Sequence, residues 1–384
     1  MSSRLALVRL IARRLRDGGA SADISERASV NAERYLDNPL YLYQLASLCR
    51  DSGHIELWRE AVNVALTLEH LTPQQTYYRG LAKLTLGDWS GWADREARHF
   101  RPIQRSKDAA TLRWSHQAWD GQENIQDKLL LVYYEQGFGD GIQMLRFLPF
   151  ALRSAGRVVL MVRSGLASLV ERNFGAIVEI ALREDELPPF CDRYVWSMSL
   201  PSLLGHLPAF APLSTRCEST QAQVDHLRAK VGLCWAGHPV ESRDRSIPIA
   251  LLAPLFLRND TEYYSLQVGE READACLFPT IRQPSPPLQS FYDTAVQIAQ
   301  LDCVISIDTA VCHLAGAMGV PTFTMLPYAS DWRWGLESAT PWYPTMRLIR
   351  QTSPGDWPSA VRMLMTEIDG LSRERGHARS SGLA

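Results

Sequence analysis

The stretch EQGFGDGIQ, Glu135 to Gln143, closes an apolar run, KLLLVYY, and opens a segment of helical pattern. A strand, a glycine turn and a helix in that order commonly bind phosphate, because the first-turn N–H groups and the helix dipole attract an anion. Two features redirect this reading. The spacing Gly137-x-Gly139 has Ile142 where a third glycine would stand, and no lysine follows to make a nucleoside-triphosphate loop. Asp140 then sits where an anion would be repelled. The loop reads as a device for holding a carboxylate at the mouth of a sheet.

The complementary chemistry lies in the second half. After LDCVISID come Asp308, Thr309 and Ala310, then the helical run VCHLAGAMG. Asp308 or Thr309 is a natural N-cap, and the N–H groups that follow suit a diphosphate. A purely capping role, with His313 as a core histidine, stays open. After VGLCWAG the chain reads HPVESRDRSIP, which sets Arg243, Arg245 and Ser246 over the same strand ends, where paired arginines favour an anion. Gln267, at the end of EYYSLQV, could read a base or ribose edge. Trp332, Arg333 and Trp334 of LPYASDWRW fit a core as well as a ligand platform.

These residues need strands to carry them. KLLLVYYE, RVVLMVR and short segments near Ile177 and Tyr194 alternate with helical stretches as a first α/β unit. After the polar segment STRCESTQAQ, the runs VGLCWAG, EYYSLQV, LDCVISID and VPTFTML read as buried parallel strands of a second unit. Ligands of such sheets gather at the C-terminal strand ends, where all the residues above fall.

The first hundred residues follow a different rule. Pro39, Tyr43, Ala46, Gly53 and Trp58 recur as Pro73, Tyr77, Gly80, Gly87 and Trp92, each shifted by 34 residues, and Ala12 and Gly19 continue the register one period earlier. Thirty-four is the period of a tetratricopeptide helix–turn–helix, so three units with a degenerate first one are expected. Such arrays hold peptides or partner proteins, or brace a neighbouring domain.

Composition bounds the rest. The 384 residues are 46% hydrophobic and 21% charged with a formal net charge of -2, enough to form two or three cores and no basis for bulk nucleic-acid binding. The 7 cysteines are dispersed without a C-x-x-C pair and lie mostly in apolar runs, as in a reducing cytoplasm. No apolar run is long enough to span a bilayer. The start, MSSRLALVRLIARRLRDGG, reads as a packed amphipathic helix and not as a signal peptide.

Taken together, EQGFGDGIQMLRFLP, VGLCWAGHP with RDRSIP, SLQ, DTAVCHLAGAMGVPTF, LPYASDWRW and PWYPTMRLIRQ resemble, in order and spacing, bacterial proteins that couple tetratricopeptide repeats to a heptosyltransferase-like module of glycosyltransferase family nine. The resemblance covers roughly residues 75 to 360. It implies helical repeats over residues 1–104 followed by a GT-B pair of Rossmann-like domains, an acceptor domain over 105–220 and a nucleotide-sugar domain over 221–384. It implies inverting transfer without a catalytic metal or bound cofactor, the nucleotide-diphosphate sugar being a co-substrate. Asp140 matches the acidic residue of the acceptor-side loop, with Gln136, Gly137, Gly139 and Gln143 around it. Asp308, Thr309, Ala310, His313 and Leu314 match the donor-binding segment, and Trp235, Arg243, Arg245, Ser246 and Gln267 complete the donor set. The lysine that the family uses near the donor phosphates is missing, and the Arg243/Arg245 loop stands in its place.

The chemistry of the residues agrees. Sugar transfer with inversion needs a base for the acceptor hydroxyl, which Asp140 can be, while a diphosphate leaves from the opposite face towards positive potential. No D-x-D pair supports a metal-bridged donor. The expected partners are a nucleotide sugar and, through the repeats, a protein or peptide acceptor. Two other readings stay open: a non-catalytic binding protein of the same fold, favoured by His238 where the family carries asparagine, and a transferase using UDP-N-acetylglucosamine on protein hydroxyls.

Overall fold

The computed structural model describes residues 39–51, 53–100, 117–183, 190–215, 228–238 and 245–380, with the isolated residues 11 and 13. Most of the expected amphipathic helix at the start, Ala12, Gly19, most of the STRCESTQAQ linker and Arg243 lie outside the described residues. The chain divides into two compact units, the first comprising 1–116 with 328–336 and 353–355, the second the remainder.

In the first unit, helices Pro39–Asp51 and Ile55–Leu66 form one pair, and Pro73–Thr85 with Gly91–Arg95 the next. Both pairs start on a proline, which is tolerated in a first helical turn. Both turn at a glycine of positive φ, Gly53 at 85° and Gly87 at 81°, where side chains are disfavoured. A Cβ on Gly80 would stand 2.7 Å from the carbonyl oxygen of Gly91, so the second pair is closed by a near-contact of backbones. Trp58 and Trp92 are both buried. The segment 328–336 belongs to this unit: the Tyr328 hydroxyl donates to the Gly53 carbonyl at 2.9 Å, and the Arg95 guanidinium lies against the edge-to-face pair of Trp92 and Trp332, 5.1 and 4.7 Å from their centroids. Trp332 and Trp334 are core residues.

The second unit contains two sheets whose strand pairs are all parallel. The first comprises β1 (Ile125–Tyr133), β2 (Ala155–Val162), β3 (Glu179–Leu182) and β4 (Arg193–Trp196), in spatial order β3-β2-β1-β4. The other comprises β5 (Ala229–Cys234), β6 (Thr261–Ser265), β7 (Ile281–Arg282), β8 (Cys303–Ile307), β9 (Thr322–Leu326) and β10 (Met346–Arg350), in order β10-β9-β8-β5-β6-β7. Counted from its own first strand, the six-stranded sheet has the doubly wound order 3-2-1-4-5-6, and the four-stranded sheet has the 3-2-1-4 part of it. Ile177 is exposed and lies just before β3, not within it. The short β7 and the edge strand β10 were not separated as strands by hydrophobic pattern, β7 because two residues carry no periodicity.

Strands covered on both faces read as continuous apolar runs, and β8 and β9 are buried at every residue. Beneath the larger sheet, Trp235, Leu233, Tyr263, Ile305 and Met325 pack with Trp357, Val361 and Leu364 of the helix Trp357–Ser380. Among the described residues, no helix is long and apolar enough to cross a membrane.

Candidate active site

In each sheet the strand order reverses beside the first strand, between β1 and β4 and between β5 and β8. Sheets of this kind offer a crevice at such a reversal, because successive connections leave in opposite directions. The acid loop follows β1, WAG follows β5 and the Asp308 segment follows β8, so all three arise at these reversals.

The acid loop is tighter than its sequence implies. Gln136 has a φ of 65°, a backbone region that costs a non-glycine residue about 1 kcal/mol or more. Helix Phe138–Met144 then starts at once, so Gly139 and Asp140 occupy its first turn and not a loop ahead of it. The reason is local: the Asp140 carboxylate accepts the Gly137 N–H at 3.0 Å and thereby caps the helix start. The anion attraction of this N-terminus is thus met by the protein's own half-exposed acid. Gln143 is buried at 1% exposure and Gly137 is exposed. Phe138 anchors the turn, with the Arg163 guanidinium 5.3 Å from its ring centroid and Phe291 at 5.0 Å.

The donor-side residues divide into packed and presented ones. Trp235 is 1% exposed and its indole N–H reaches Asp274, which makes it a core residue. The Gln267 amide is engaged with backbone: its oxygen accepts from Trp235 N–H at 3.1 Å and Ala236 N–H at 2.9 Å, and its nitrogen donates to the carbonyls of Ala236 and Val268. It fixes the turn after β5. The Ser246 hydroxyl accepts the Gly237 N–H at 3.3 Å.

Thr309 is the N-cap of helix Ala310–Ala317, yet its side chain does not cap it. Its hydroxyl pairs instead with Ser306 at 3.1 Å, and the helix begins at half-buried Ala310 without a side-chain cap. Asp308 is 3% exposed and bonded to Arg245, whose Nη1 donates to it at 2.7 Å. A carboxylate in that position is costly unless neutralised, so the pair stands or falls together. Leu314 is fully buried.

Asp308, Cys312 and His313 bring three ligand-type atoms within 4.8 Å of one another. A metal ion there would have to displace the Arg245 guanidinium from Asp308 and the proton that the Cys312 thiol donates to the Thr309 carbonyl at 3.0 Å. Burial, reinforced by the Asp308 charge, pushes the Cys312 thiol far above its usual range, and burial also raises that of Cys234. Both are protonated at neutral pH.

The two sides touch. A Cβ on Gly139 would stand 2.8 Å from His313 Cδ2 and 3.5 Å from Ala310 Cα, so the acid helix meets the start of helix Ala310–Ala317 backbone to ring. The glycine spacing predicts a turn at Gly139 and not this contact. Nor does any local pattern mark Arg146, which donates to the Trp342 carbonyl at 2.6 Å, or Tyr343, whose hydroxyl lies 2.9 Å from His313 Nδ1. The signal in the sequence is the PWYPTM segment, which carries the family resemblance without indicating these contacts.

No family model matches the chain. It is 30% identical over 314 residues to protein FlbA of Caulobacter vibrioides, a match covering 72% of this chain and 52% of FlbA, so the chain spans about half the length of that curated relative. Among solved structures, it is similar to a family 9 glycosyl transferase of Veillonella parvula, with 12% identity, a TM-score of 0.44 and coverage of 60% of this chain and 88% of the other. It is also similar to the ADP-heptose lipopolysaccharide heptosyltransferase II of E. coli, with 13% identity, a TM-score of 0.43 and coverage of 65% and 99%.

Proposed function

We propose that the protein is an inverting glycosyltransferase of GT-B type that moves a heptose or hexose from a nucleotide-diphosphate donor to an acceptor hydroxyl. The observation that carries this reading is the apposition of two chemically opposite loops: a half-exposed carboxylate at the end of β1 against an uncapped helix start beside Arg245 at the end of β8. In this reading Asp140 takes the acceptor proton as the acceptor oxygen bonds to the anomeric carbon. The bond from that carbon to the diphosphate breaks on the opposite face, and the diphosphate departs with the electron pair. Helix Ala310–Ala317 and Arg245 stabilise the charge it gains, which is the task a metal ion has in other transferases.

The acceptor is a protein or peptide held by the helical unit. The 34-residue recurrence of a helix-starting proline and a left-handed glycine turn supports tetratricopeptide-type repeats there. Incubation with ADP-, UDP- and GDP-linked sugars, scored by thermal shift and by slow donor hydrolysis, tests the proposal. A stabilising, hydrolysed donor is expected. A protein neither stabilised nor turning over any of them is a non-catalytic binding protein, and turnover confined to UDP-N-acetylglucosamine selects the protein O-glycosyltransferase alternative.

A further inference from the structure

The segment Pro341–Tyr343 joins the two halves of the site. Arg146, directly after the acid helix, donates from Nη1 to the carbonyls of Trp342 at 2.6 Å and Pro341 at 3.4 Å, and the Phe147 ring lies 6.5 Å from that of Trp342. Tyr343 leans the other way. Its ring packs on helix Ala310–Ala317 so closely that a Cβ on Gly316 would come within 2.6 Å of Tyr343 Cγ, and its hydroxyl sits 2.9 Å from His313 Nδ1. The Cδ2–Nε2 edge of His313 faces Gly139, the residue before Asp140. The contacts therefore close a ring: acid helix, Arg146, Trp342 and Tyr343, His313, acid helix.

We infer that Tyr343 is a positioning residue that holds His313 as an Nε2–H donor at the junction of the two turns. A neutral imidazole carries one proton, and the hydrogen bond at one nitrogen selects which nitrogen bears it. A phenol hydroxyl is protonated at neutral pH and has a proton to give to Nδ1. The ring proton then sits on Nε2, beside Gly139. His313 and Tyr343 are each 3% exposed, so water is poorly placed to exchange this arrangement for the other. The inference rests on the sugar-transfer reading only for what the donor acts on, a phosphate oxygen of the departing diphosphate.

Nuclear magnetic resonance of protein with ¹³C,¹⁵N-labelled histidine tests it without any turnover. The chain has 9 histidines, and His313→Gln assigns the signal. At pH 7.5 the wild type should show the neutral Nε2–H tautomer at His313, and Tyr343→Phe, which keeps the ring, should convert it to a mixture. An Nδ1–H tautomer or an imidazolium in the wild type overturns the inference, as does an unchanged signal in a folded Tyr343→Phe protein. Should that variant not fold, the wild-type tautomer decides alone. With a hydrolysable donor, Tyr343→Phe should lower kcat about tenfold and leave donor KM within about twofold, since the lost interaction matters most as charge develops. An Nε2–H signal in a protein that hydrolyses no donor sustains the positioning and counts against the transfer reading.

Discussion

The turn after β1 and the turn after β8 are built alike: a parallel strand at a reversal of sheet order, a short turn, an aspartate and a helix. Their aspartates end in opposite states. Asp140 lies inside the helix, caps it and stays half-exposed. Asp308 stands one residue before the N-cap, is buried and is neutralised by Arg245, and the helix it precedes starts without a side-chain cap. Equal residue types in equal local settings thus take different chemistry from a shift of a few positions, because that shift decides whether the carboxylate fills the helix dipole or turns away from it. In the proposed mechanism Asp140 must be reachable, as a base, and Asp308 need not be.

The comparison breaks most sharply at Asp140. Asp140→Asn should lower transfer by roughly 10²–10⁴-fold while nucleotide-sugar affinity stays within a few fold, if the residue takes the acceptor proton as proposed. Calorimetry showing equal loss of donor binding would assign Asp140 to the donor side. Arg245→Ala should have the next largest effect and a double one. It leaves Asp308 buried without its partner, at a cost of about 3 kcal/mol in urea unfolding, and it weakens ADP or UDP by about 1–3 kcal/mol. Loss of stability with unchanged nucleotide affinity would make the pair purely structural. Gly139→Ala tests the junction between the turns. Its methyl must displace the His313 ring, held on its other side by Tyr343, so a loss of about 1–3 kcal/mol is expected together with slower transfer. A variant of full stability and rate would mean that the two turns are not in register.

Asp94 in the helical unit offers a second partly buried ion pair for comparison. Arg79 grips it through two bonds of 2.8 and 2.5 Å, and Lys83 adds a third contact at 2.9 Å. Burial alone would raise this carboxyl, but the hydrogen bonds and charges of Arg79 and Lys83 outweigh burial and hold it below the usual carboxylate range. A depressed folded-state value means that the stabilisation is complete at neutral pH and fades as pH drops below about 4. Asp94→Asn should therefore cost about 1–2 kcal/mol at pH 7, with the difference from wild type shrinking in acid, as followed by thermal melts. A constant difference down to pH 3 would refute the charge-based account.

Much of this was legible in the sequence because it is local. Apolar runs marked β1, β2, β5, β6, β8 and β9, since a strand covered on both faces has little choice of residue. The glycine turn with its acid, the Asp308–Thr309 helix start and the 34-residue recurrence follow from backbone rules that act over a few residues. What stayed hidden is which polar atoms the fold uses up. Trp235 and Gln267 stand at strand ends, as ligand-reading residues would, yet one is core and the other clamps a backbone turn. Arg245 is a lone surface charge until Asp308, 63 positions later, takes it as a partner. Arg146 and Trp342 meet across 196 positions of sequence, and His313 meets Gly139 from a helix that follows the other sheet's strand β8. Periodicity and spacing specify elements because the backbone repeats every few residues. Desolvation, hydrogen-bond partners and ring contacts are set by neighbours that the chain brings together from afar, and only the tertiary structure decides those.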